Sequence, residues 1–179
     1  MRNFKKFNTS SGYSLIELVI VLAVVGVLSA GIFFARDRIF GAVNAKQEAS
    51  TYQQMILALQ DSFSLSPNYS NVSVEYLVGT GQVPPEWVAS ATEIRNTFGG
   101  LIDVGPTGPG GRQLLFTTEA IPSEECQKIV RTLSRESVTM GTNTSEDNIK
   151  SEAGEEFDVV AAQDACNAST TVTINFVSN

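Results

Sequence analysis

Glu17 is the residue whose placement most needs a chemical reason. It is the one side chain charged at neutral pH in Gly12–Ala35, GYSLIELVIVLAVVGVLSAGIFFA. An acid at the centre of a membrane helix costs on the order of 2.5–3.5 kcal/mol on insertion scales, and less near an end. The other chemistry-bearing residues are Cys126 and Cys166, and the chain has no histidine. Ser-His-Asp and Cys-His nucleophile systems are therefore excluded, as are His-rich metal sites. In an exported chain an even cysteine count reads as one disulfide, with two reduced buried thiols as the alternative. A loop of about 40 residues closed that way is worth roughly 4 kcal/mol on the chain-entropy model. Asp147, Glu152, Glu155, Glu156 and Asp158 lack ordered calcium-ligand spacing and read as a solvated face. The glycine-rich Gly105–Gly111 (GPTGPGG) is followed by neither Lys-Ser/Thr nor a helix start, so it is turn chemistry and not a phosphate cradle. No catalytic residue, cofactor site or metal site is expected, and the chain is not expected to be an enzyme.

The elements that must carry these residues start with one long helix, residues 13 to about 65. No proline interrupts it, the first being Pro67. Its first half is apolar all round and long enough to span a bilayer, since about 20 residues at 1.5 Å rise cross the hydrocarbon core. Arg36, Asp37 and Arg38 mark the exit. Beyond them Ile39, Val43, Ala49, Tyr52, Ile56, Leu59 and Phe63 recur at threes and fours, with one wider gap at Lys46, as an apolar stripe. Lys46, Gln47, Glu48, Gln54 and Asp61 take the other faces. Gly26 and Gly31 each weaken the apolar half by roughly 1 kcal/mol relative to Ala, and close helix–helix packing is the plain reading of them.

After a loop at Pro67–Asn71, residues 73–79 (SVEYLVG) have strand propensity. Gly79–Gly81 and Pro84-Pro85 break the chain, and Trp87 is a core plug or a partly exposed anchor. Leu101–Val104 and Gln113–Glu119 read as a hairpin. Pro122-Ser123-Glu124-Glu125 reads as a helix start with Ser123 capping, and Cys126, Ile129, Val130 and Leu133 then face the core. Gly141–Glu156 reads as a polar surface loop. Thr170–Val177 alternates as a half-buried strand, with Val172, Ile174 and Phe176 on one side. Strands near 101–104, 113–119, 157–161 and 170–177 form an antiparallel sheet able to cover the helix stripe, which gives an α+β fold.

A basic leader ending in Gly12, then one residue, then S-L-I-E-L-V-I-V-L, resembles the class III signal of type IV prepilins. The likeness covers about 24 residues, and a lone apolar run with a Glu would be far less specific. It implies a leader at 1–12, cut at Gly12–Tyr13 by a membrane-embedded aspartyl peptidase that also methylates Tyr13. Arg2, Lys5 and Lys6 leave with the leader, so nine basic residues face nineteen acidic ones, −10 for the remainder. The basic leader fits the cytoplasmic side, and the acidic body argues against nucleic-acid binding. Glu17 becomes the fifth residue of the mature chain. It is expected to meet the Tyr13 amine of a neighbouring subunit in low dielectric, where pairing fixes register. The bland alternative is a carboxylate at the membrane edge of an ordinary anchor.

The same resemblance implies the pilin fold. Residues 13–35 are the protruding transmembrane and fibre-core half of the helix, and 36–66 the amphipathic half packed on the sheet. The α+β head is 67–179, with a disulfide-closed D-region at 126–166 on the filament surface. Similar pilins place a short helix at 73–79, and Asn96-Thr-Phe98-Gly99-Gly100 is similar to a motif that precedes the sheet in type IVb pilins. The mature length of 167 residues and the C-terminal elements resemble that group, which includes the toxin-coregulated pilins and the thin pili of conjugative plasmids. Gly26 and Gly31 become candidate points of partial unwinding when the helix leaves the bilayer for the fibre. The expected function is a major pilin: anchored in the bacterial inner membrane with its head periplasmic, then polymerised by the assembly machinery into a homo-oligomeric helical surface filament for adhesion, aggregation or conjugation. A pseudopilin of a type II secretion system shares the N-terminal signal and is the nearest rival. A membrane-anchored periplasmic enzyme or binding module is the rival from another class, and an ordinary secretory signal peptide would explain neither Gly12 nor Glu17.

Overall fold

The structure is a computed structural model that describes residues 14–66, 68–143, 145 and 147–179. The chain divides into two units, Met1–Ile39 and Phe40–Asn179. Helix α1, Leu15–Ser62, is continuous, as the proline-free sequence predicts, and ends in a turn at Phe63–Leu65. The first unit contributes its apolar part. In the second unit Ala45, Ala49, Tyr52, Met55, Ile56 and Leu59 of α1 are buried. Val43 departs from the predicted stripe and is exposed, while Glu48, predicted on an outer face, is fully buried.

Ser73 caps α2, Val74–Gly79, its hydroxyl accepting from the Tyr76 N–H, so the segment is the short helix and not a strand. Trp87 is a buried core residue in a 3-10 turn and lies 5.7 Å from the Tyr52 ring. Among the described residues the sheet has six antiparallel strands: β1 Val88–Ser90, β2 Glu93–Arg95, β3 Leu101–Thr107, β4 Gln113–Pro122, β5 Ser137–Thr142 and β6 Thr171–Ser178. Their order is β1-β2-β3-β4-β6-β5, so the C-terminal strand is inserted between two earlier ones. The 3–4 hairpin turns through the glycine-rich segment as predicted. Ile102, Val104, Leu114, Phe116, Ile174 and Phe176 face the core beside Tyr52, with Phe116 and Phe176 stacked at 5.2 Å.

Three expectations for the C-terminal half are corrected. Helix α3, Ser123–Leu133, begins without a side-chain cap, because Ser123 lies inside it and Pro122 is the cap residue. Residues 157–161 do not form a strand. Asp158 accepts from the Val160 and Ala161 N–H groups and starts helix α4, Val159–Cys166, because a capping acid overrides the β propensity of two valines. The stretch 141–156 is only partly surface: β5 enters it, Ile149 and Lys150 are buried, and Met140 bridges Lys150.

Candidate functional site

In the first unit Glu17 lies in the opening turn of α1, where its N–H donates to the Ser14 carbonyl at 2.9 Å. An acid there complements the positive end of the helix dipole. Gly12 and Tyr13, the predicted cleavage and methylation residues, lie outside the described residues. Leu15–Ile32 is long and apolar enough to cross a membrane, with a mean hydropathy of 2.7, and none of it is buried within the chain. Ser29 turns its hydroxyl back onto the Val25 carbonyl at 2.7 Å, which hides a polar group that lipid could not satisfy. α1 is unbroken at Gly26 and Gly31, and nothing lies within 4 Å of where a Cβ would stand at either. No contact inside the described subunit asks for glycine there.

In the second unit the structure joins Cys126 of α3 to Cys166 of α4, with both residues wholly buried and Cα atoms 5.7 Å apart. The enclosed segment is also fastened by polar contacts. Lys150 is buried and its Nζ donates to the Ser134 and Ser137 carbonyls at 2.9 and 2.6 Å. Those carbonyls lie just beyond the C-terminus of α3, where a cation is favoured. Asn175 of β6 donates to the Asn143 and Ser145 carbonyls, and Asn148 accepts from the Thr142 N–H at 2.8 Å.

A buried polar chain ties α1 to the sheet. Asn96 Nδ2 donates to Thr118 Oγ1 at 2.9 Å, and Thr118 Oγ1 is 2.6 Å from Tyr52 Oη. The Tyr52 phenol donates to Glu48 Oε1 at 2.7 Å, and Glu48 Oε2 accepts from the Thr97 N–H at 3.1 Å. Burial pushes the Glu48 carboxyl above its ordinary 4.5, although the bonds from Thr97 and Tyr52 oppose this. Burial, then the nearby Glu48 charge, keep the Tyr52 phenol well above its ordinary range. Asn96 also closes the turn after β2, accepting from the Phe98 and Gly100 N–H groups at 3.0 and 2.8 Å and donating to the Glu119 carbonyl at 2.7 Å. That carbonyl is freed by a register shift between Thr118 and Ile121 in β4. Gly99 has φ +85°, and a Cβ on Gly100 would collide with the Glu119 backbone. The N-T-F-G-G motif is thus a turn between β2 and β3 inside the sheet, not ahead of it.

Sequence reasoning missed Glu48, Thr118 and Lys150. The available signal for the first was its i, i+4 relation to Tyr52, which places a carboxylate and a phenol on one helix face. Among the described residues no group of three or more cysteine, aspartate or glutamate side chains is placed to hold a metal ion.

Comparison with known proteins gives two family matches. The family described as PilS N terminal matches residues 42–179, and the prokaryotic N-terminal methylation motif matches residues 7–33. No curated protein sequence matches. Among solved structures the chain is similar to TcpA, a type IV pilin from Vibrio cholerae El Tor biotype. The TM-score is 0.54 at 11% sequence identity, covering 76% of this chain and 99% of that one. At that identity the likeness is one of fold.

Proposed function

The chain belongs to the PilS family and is a type IV pilin, and on that premise we propose that it is the major structural subunit of a type IVb pilus. The observation that carries this reading is the N-terminal segment. Twelve large apolar side chains between Leu15 and Ile32 are exposed, and Glu17 is the one ionisable residue among them. At about 2 kcal/mol each, leaving them in water would cost on the order of 20 kcal/mol, more than a typical domain's whole stability. Something must always cover them: lipid before assembly, neighbouring subunits after it. A permanent anchor needs only the first cover and gives Glu17 nothing to do.

In this account the subunit waits in the inner membrane with its head in the periplasm. A prepilin peptidase cuts Gly12–Tyr13 and methylates Tyr13, and an assembly machine that supplies the energy transfers the helix into the fibre. Glu17 then pairs with the Tyr13 amine of a neighbour, and the low dielectric makes a misaligned, unpaired carboxylate expensive. The polymer is a homo-oligomeric surface filament serving adhesion, aggregation or conjugation, and the role is structural, not catalytic. The disulfide-closed region, Cys126–Cys166, lies on the filament surface. The test is Glu17→Ala in the producing cell. The variant is expected to insert and to be cleaved like the unaltered chain, with surface filaments lost. Normal filaments from Glu17→Ala would contradict the proposed role of Glu17.

A further inference from the structure

Two surfaces of the second unit match each other in charge and in apolar character. The first is a cleft between α3 and α4 lined by Lys128, Arg131, Phe157 and Val159. Val159 and its neighbour Val160 are 62% and 68% exposed, unusual for adjacent branched apolar residues on a helix. Lys128 and Arg131 are exposed and make no ion pair among the described residues. They stand out on a body in which acids outnumber bases.

The second surface is a groove between the sheet and the start of α2, lined by Val74, Glu93, Leu101, Asp103, Thr117 and Glu119. Leu101 is the exposed apolar residue in it. Arg95 pairs with Glu93 at 2.6 Å and neutralises it, which leaves Asp103 and Glu119 as the uncompensated charges. Asp103 and Glu119 alternate with the core residues Ile102, Val104 and Thr118, so they point away from the core. The buried face of α3 packs into that same core. Asp103 and Glu119 therefore stand on the sheet face opposite the one that α3 covers.

The geometry points to contact between successive copies of this chain, the α3–α4 cleft of one seated on the β2–β4 groove of the next while the rest of the Cys126–Cys166 region stays on the filament surface. Val159 and Val160 meet Leu101, and Lys128 and Arg131 meet Asp103 and Glu119. Opposite charges on two different patches make a heterologous contact, which repeats from copy to copy without consuming itself. This inference rests on the filament reading above and assigns which surfaces of the head set the order of subunits.

The test uses the full-length chain in the producing cell, with sheared surface filaments quantified by immunoblot. Lys128→Glu with Arg131→Glu, and separately Asp103→Lys with Glu119→Lys, should each lower filament yield by about tenfold or more, as like charges replace attractive pairs. Combining all four changes should restore most of the yield. Val160→Cys with Leu101→Cys, oxidised in isolated filaments, should give a ladder of cross-linked multimers. A non-reducing gel showing the Cys126–Cys166 bond intact in membrane-held variants separates lost contact from misfolding. Unchanged yield in both reversals, no rescue, or dimers without a ladder would overturn the interface while leaving the filament intact. Absence of filaments from the unaltered chain would instead overturn the filament reading, and this inference with it.

Discussion

Glu48 accepts from Tyr52 and from the Thr97 N–H while wholly buried, and its raised carboxyl pKa sets the sign of a pH effect. A raised folded pKa means that the folded chain holds this proton more tightly than the unfolded one. The resulting stabilisation is full below the ordinary carboxylate value of 4.5 and is lost as pH rises through the folded pKa. Thermal unfolding of detergent-solubilised full-length protein across this window should show the unaltered chain losing stability relative to Glu48→Gln as pH rises. Equal slopes would contradict the assignment. Asn96→Ala should cost about 1–3 kcal/mol, because it leaves the buried Gly100 N–H without its acceptor. At this scale legibility is uneven for a physical reason. Glu17 stands out in the sequence because a carboxylate in an apolar run has no cheap explanation, and its role is the proposal that Glu17→Ala tests. Glu48 does not stand out, because periodicity sorts charged residues outward and cannot see the phenol and the N–H that make its burial tolerable.

Elements show the same division. The single helix of α1, the hairpin through Gly105–Gly111 and the existence of the C-terminal strand follow from proline placement, turn residues and period-2 patterning, but that strand is not half-buried as expected, because β6 lies between β4 and β5 and Asn175 and Val177 are buried too. The short strands β1 and β2 escaped because three residues carry no period, and β5 because Ser137–Thr142 mixes small polar residues into both faces. Two glycines separate tolerance from constraint. A methyl on Gly41 meets the carboxylate of Glu125, the movable end of a flexible side chain, whereas one on Gly100 meets backbone. In the same unfolding assay Gly100→Ala should lose about 1–3 kcal/mol and Gly41→Ala less than about 1. Replacing both Cys126 and Cys166 by serine should lower stability by roughly 4 kcal/mol, given the sequence separation of 40. An unchanged melting temperature would mean that the Lys150 and Asn175 contacts hold that region without the bridge.

For the whole molecule, the proposed function has an exposed apolar helix carrying one acid processed and then covered by copies of itself. The N-terminal signal was the most legible feature of the sequence, because apolar length, a basic leader, Gly12 and Glu17 are separate constraints that coincide. The surfaces proposed for contact between heads were not legible, since Asp103 and Lys128 become parts of patches only once the sheet and α3 are placed. The most direct measurement is intact mass with N-terminal sequencing of protein sheared from the cell surface. The expected chain begins at methylated Tyr13 and is two hydrogens lighter than its fully reduced form. A surface chain that keeps Met1, or one that begins near Gly31, would contradict the proposed function.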